Sequence, residues 1–116
     1  MHTDLTYLNE IADGNDEFIV EMLEMFIDKT PEYFSEIKKN LSEDDYEQIK
    51  SATHKVKPTF AFMGIDKAKP LIVEIERNAV EIKNRASLEI LIVELETMTN
   101  EAITELEQHR DKLKAN

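Results

Sequence analysis

The sequence predicts an all-α fold, an antiparallel up-and-down four-helix bundle with a short N-terminal helix, and three observations carry that reading. The 116 residues include only two glycines and three prolines, too few breakers for the closely spaced turns of a sandwich or barrel. Apolar residues recur at steps of three and four over long stretches. The connections between these stretches are short, which makes consecutive helices run in opposite directions. A chain of this length builds one core, so residues 1–116 read as a single domain.

Asp4 is placed to cap a first helix through Ala12, with Leu5, Leu8 and Ile11 on one side, before Asp13-Gly14-Asn15 breaks it. A second helix spans about 16 to 40, with Phe18, Met22, Met25, Phe26, Lys29, Tyr33, Phe34, Ile37 and Leu41 on one stripe and Lys29 its one polar interruption. Pro31 falls inside it, but the periodicity resumes in phase, so the proline reads as a kink within one helix. Ser42, followed by Glu43-Asp44-Asp45, is a start signal for a third helix running to about Met63, where Gly64 ends it. Asp66 then caps a fourth helix carrying Ala68, Leu71, Ile72, Ile75, Ala79 and Ile82. Asn84 to Ser87 forms the last turn, with Ser87 as cap. The final helix buries Leu88, Leu91, Ile92, Leu95, Met98, Ala102 and Leu106, and the charged tail from His109 is expected to fray.

Charge and composition narrow the functions. With 25 acidic against 14 basic residues the net charge is -11, which disfavours nucleic acid as a partner, because neutralising phosphates takes a face of clustered Lys and Arg. The absence of cysteine removes disulfides and thiolate metal sites and is compatible with a reducing cytoplasm. No apolar run approaches the roughly 18 residues of a membrane span, and the first residues lack a signal-peptide pattern. The expectation is a soluble cytoplasmic monomer that works with other proteins. His2 and His109 have no ligand partners at helical spacing, so no metal is assigned. The carboxylates Glu74, Glu76, Glu94 and Glu96 fall on polar helix faces and need no catalytic account.

The informative stretch is Ala52-Thr53-His54-Lys55-Val56-Lys57-Pro58-Thr59-Phe60-Ala61-Phe62-Met63-Gly64. At about 100° per residue, Ile49, Ala52, Thr53, Val56, Phe60 and Met63 lie within roughly 50° of one direction, the core. His54 points away from that direction, with Lys50, Lys57, Pro58 and Ala61 as its neighbours on the outer face. Lys50, Lys55 and Lys57 surround it, and no acid occurs between positions 49 and 65. An exposed imidazole is a competent nucleophile near neutral pH, and a nearby cation offsets the charge of a phosphoryl group placed on it. Lys57, three residues on, is best placed to do so; a solvated face explains Lys50 and Lys55 equally well. Ala61 leaves room above the ring, and Phe62 either adds apolar surface where a partner could dock or serves as a core residue at the helix edge.

His54, Lys57, Thr59, Ala61 and Gly64 resemble the signature of the histidine-containing phosphotransfer (HPt) domains, in which a phospho-accepting histidine is followed by lysine at three residues and glycine at ten. The departure is Pro58, which stands where that family usually has its first glycine. A slight bend with reactivity retained is expected there. The resemblance implies a phosphorelay protein of a two-component system that accepts and donates a phosphoryl group on Nε2 of His54. Its partners would be response-regulator receiver domains, including that of a hybrid histidine kinase, each presenting a phosphoaspartate with bound magnesium. Lys57 would stabilise the phosphoryl charge, and Lys50, Lys55, Pro58, Ala61 and Phe62 would form the docking surface. The chain would need no cofactor of its own. No glycine-rich phosphate loop is present, so ATP-dependent autophosphorylation is not expected. The alternatives are a helical docking scaffold for receiver or kinase domains that carries no phosphate, and a plain structural bundle.

Overall fold

The structure is a computed structural model describing residues 2–115, and all of its elements are helical. They are α1 (Thr6–Ala12), α2 (Asp16–Ser42), α3 (Tyr46–Phe62), α4 (Ala68–Arg77) and α5 (Arg85–Ala115), with a π-helical segment, Asn78–Ile82, continuing α4. Helices α2 to α5 form the antiparallel bundle, each packing on the next and α5 closing back on α2. At 1.5 Å per residue, the 31 residues of α5 span about 46 Å, matching the 47 Å long axis of the molecule. The shorter α3 and α4 complete the bundle along part of that length.

The caps differ from the sequence reading by a few residues. Asp4 does serve the first helix: its carboxylate accepts from the Thr6 N–H at 3.0 Å and the Thr6 hydroxyl at 2.6 Å, although it stands one residue outside the geometric cap. Asn15 caps α2, accepting from the Phe18 N–H. Ser42 belongs to the last turn of α2; its hydroxyl donates backward to the Lys39 carbonyl, and Asp45 is the cap of α3, accepting from Gln48 N–H. Asp66 offers no side-chain cap to α4. Asn84, not Ser87, caps α5, its Oδ1 accepting from the Ser87 N–H. Several polar residues with acceptor side chains lie close together at the starts of α3 and α5, so the sequence alone offers more than one cap for each.

Pro31 lies inside an unbroken α2, as the in-phase periodicity predicted. The buried stripe is rotated slightly from the predicted one. Ile19, Leu23, Phe26, Thr30, Tyr33, Phe34, Ile37 and Leu41 face the core, while Met25 is 56% exposed and Lys29 is also outside. Thr30 is tolerated in the core because its hydroxyl donates to the Phe26 carbonyl at 2.7 Å. Phe26 in turn meets Phe60 edge-on, with ring centroids 5.3 Å apart, an arrangement that adds about 1 kcal/mol beyond burial. Ile11 and Ile82 face solvent instead of the core. The end of α4 loosens into the π segment because Asn78 is buried, with its backbone carbonyl accepting from Lys83 N–H five residues on and its Oδ1 accepting from Asn84 N–H. The C-terminal turns of α5 do not fray. Leu113 packs on the core and Lys114 Nζ lies 2.9 Å from Glu24 on α2.

Residues 2–5 form a strap across the end of α3. Asp4 N–H donates to the Met63 carbonyl at 3.1 Å, and Glu105 on α5 accepts from the backbone N–H groups of His2 and Thr3 and from the Thr3 hydroxyl. Partial burial works against the Glu105 carboxylate, but these donors together hold its pKa below the usual range. The strap runs so close to Gly64 that a Cβ there would overlap the Asp4 carbonyl. It leads into α1, where Leu8 is fully buried and Tyr7 lies against Phe62 with ring centroids 5.6 Å apart.

Candidate functional site

Helix α3 presents two faces, and the split between them follows from residue type. Ile49, Ala52, Thr53 and Phe60 are buried, Met63 just past the helix end is buried too, and Val56 packs at the edge of the core. His54 is thereby turned outward, its side chain 72% exposed. Lys50, Lys55, Pro58 and Ala61 are exposed, whereas Lys57 and Phe62 are partly covered.

Lys57 and His54 converge on a residue that the sequence reading set aside. Glu76, on α4, places Oε2 3.5 Å from His54 Nδ1 and Oε1 3.1 Å from Lys57 Nζ. Its side chain is only 18% exposed. Lys57 Nζ lies off the hydrogen-bonding direction, so Oε1 is a buried acceptor without a hydrogen-bond partner. The histidine is therefore not ringed by lysines alone, as the sequence suggests, because an acid from the neighbouring helix sits beside it. The omission has a geometric reason. Helices α3 and α4 form a hairpin that turns at Gly64 and Ile65, so residues about equally far from the turn meet across it. Positions 54 and 76 are ten and twelve residues from Gly64. That symmetry was a signal within the sequence.

This arrangement has clear chemical capacity. A carboxylate opposite Nδ1 favours the tautomer that carries its proton there, leaving the Nε2 lone pair facing solvent. The distance of 3.5 Å is longer than a formed hydrogen bond, so the ring is oriented without being locked. Lys50 and Lys55 join no ion pair among the described residues and diverge: Lys50 borders a groove with Asp44, Asp45 and Lys83, Lys55 one with Glu32, Tyr33 and Glu36. The lysine cluster is thus a linear feature of the sequence more than a spatial one.

The outward histidine and its lysine one turn on meet at Glu76, and the glycine follows the end of the same helix in a four-helix bundle. The Hpt domain family matches this chain over residues 21–115. The chain belongs to the Hpt domain family. Nothing among curated proteins or solved structures matches it. The family places this Hpt domain in histidine phosphotransfer within a phosphorelay. The match begins inside α2, so the strap and α1 precede it. No helix among the described residues is long and apolar enough to cross a membrane.

Proposed function

We propose that this Hpt domain carries a phosphoryl group on Nε2 of His54, taking it from a phosphoaspartate of one receiver domain and giving it to the aspartate of another. The observation that carries this reading is the exposed His54 ring with its Nδ1 turned toward Glu76. In the forward step the Nε2 lone pair attacks phosphorus, the P–O bond to the aspartate breaks, and the aspartate leaves as a carboxylate. Nδ1 keeps its proton throughout. The ring then bears positive charge, which Glu76 offsets, and Lys57 offsets the charge of the phosphoryl oxygens. The reverse step restores the neutral ring without a net proton transfer. Magnesium belongs to the receiver, where it supplies most of the charge stabilisation. The docking surface surrounds the ring: Pro58, Ala61 and Phe62 on α3, extended by Tyr7 and flanked by Lys50 and Lys55.

The test is to mix the purified protein with a phosphorylated receiver domain. Label is expected to move to this chain in an acid-labile, alkali-stable form, as a phosphorus–nitrogen bond requires. No transfer from any receiver tried would sink the proposal.

Glu76 supplies a second test. Replacing it with alanine removes the carboxylate that offsets the charge the ring gains on attack, a solvent-screened contribution of about 1 kcal/mol, so the transfer rate is expected to fall about fivefold. Imidazole nitrogen shifts should show His54 redistributing between its two tautomers. An unchanged rate and unchanged shifts would remove Glu76 from the site.

A further inference from the structure

Two helices that bear on the site each carry a proline in their interior, Pro31 in α2 and Pro58 in α3. Proline has no N–H, so Pro58 deprives the carbonyl of His54 of its helical donor, and Pro31 does the same to Ile27. The backbone beneath the reacting ring has therefore lost one of the bonds that normally fix its rotation. Beside this gap, Tyr33 of α2, two residues past Pro31, reaches the residue immediately before His54. The Tyr33 and Thr53 hydroxyl oxygens are 2.9 Å apart, and both side chains are buried. Among the described residues this is the sole side-chain hydrogen bond joining α2 to α3. The remaining contact is apolar, as between Phe26 and Phe60, and apolar packing is non-directional. A hydrogen bond is directional, and breaking this one leaves two buried hydroxyls unsatisfied. Burial, opposed by the Thr53 hydrogen bond and reinforced by the charges of Glu76 and Glu36, pushes the Tyr33 phenol up to about 12, so the phenol stays neutral and the two hydroxyls can bond in either direction.

We infer that Tyr33 and Thr53 are a positioning pair that fixes the rotation of α3 at His54, where Pro58 has removed a backbone bond, and so holds the imidazole against Glu76 and Lys57. The pair touches neither the phosphoryl group nor the partner and acts through His54. The inference rests on the reading of His54 as the phosphoryl acceptor, and it also makes a structural claim that can be checked without any transfer.

The decisive variant is Tyr33→Phe, which keeps the ring and removes only the hydroxyl. The expected results are a phosphotransfer rate about fivefold lower and altered imidazole nitrogen shifts for His54, with the bundle still folded. Thr53→Val should behave alike and Thr53→Ser should stay near wild type. The distinguishing arm is Pro58→Ala, which restores the missing N–H. In the Tyr33→Phe/Pro58→Ala double variant, rate and ring shifts should return to within twofold of Pro58→Ala alone. Unchanged His54 shifts and rate in Tyr33→Phe overturn the inference, as does a loss that Pro58→Ala leaves undiminished, since that marks a general packing role. If the wild-type protein takes no phosphoryl group from any receiver, the proposed function fails, while the ring shifts still decide whether the pair positions His54.

Discussion

Exchanging His54 for glutamine should reduce phosphoryl uptake from a receiver to nothing detectable while leaving fold and docking intact. Glutamine matches the polarity and approximate reach of histidine, but its amide nitrogen lone pair is delocalised and cannot attack phosphorus. The side chain it replaces is 72% exposed and makes no hydrogen bond within the protein, so the cost in stability should stay within about 0.5 kcal/mol. The other histidines are poor substitutes. His2 is largely covered, with Nε2 taken by Glu101 at 2.6 Å and Nδ1 buried, and His109 is partly buried on α5. The check is a transfer assay alongside receiver-binding affinity and thermal melting. Residual labelling of His54→Gln comparable to wild type would move the acceptor elsewhere. Binding by both proteins, with label on neither, would instead favour the phosphate-free scaffold.

What could be read from the sequence divides along physical lines. Helix number, order and the unbroken passage through Pro31 follow from periodicity, which integrates many residues and survives single exceptions. The outward direction of His54 follows as well, since Ile49, Ala52, Val56 and Phe60 of α3, with Thr53 and the following Met63, define its core side. Individual caps failed because Ser42, Glu43, Asp44 and Asp45 all have acceptor side chains, and a choice among them depends on how α2 ends. The loosening at Asn78 failed for a similar reason: an asparagine inside a helical pattern gives no sign that it will be buried. Glu76 is the instructive miss. Along the chain it is one carboxylate among many on a polar face, and only the hairpin pairing of α3 with α4 brings it to His54. The lysines show the converse, because Lys50, Lys55 and Lys57 are neighbours in sequence yet only Lys57 reaches the acid beside the ring.

Gly64→Ala is expected to be among the most damaging single-methyl changes in the molecule, lowering stability by about 3 kcal/mol. Two effects add. Gly64 has φ +63°, where a side chain costs about 1–2 kcal/mol. In addition, the new Cβ would overlap the Asp4 carbonyl oxygen and come within 2.7 Å of its carbon. Both are backbone atoms that cannot rotate aside, so the strap must move. Moving it strains the bond from Asp4 N–H to the Met63 carbonyl, worth about 1 kcal/mol. Gly14→Ala separates the two effects. Gly14 has φ +83°, but an added methyl there would meet nothing within 4 Å, so it should cost only the conformational part, about 1–2 kcal/mol. Thermal melting should therefore fall by roughly 10–15 °C for Gly64→Ala and by about half that or less for Gly14→Ala. Equal losses would show that the strap yields freely. The same measurement bears on function, because the strap leads into α1 and holds Tyr7 against Phe62. Detaching it should also expose Leu8, which is otherwise fully buried, and hydrogen exchange at residues 3–8 should rise in Gly64→Ala well before the bundle unfolds. Exchange that rises only with global unfolding would mean the strap and bundle form one cooperative unit, in which case a disturbance at Gly64 reaches His54 through the C-terminal half of α3.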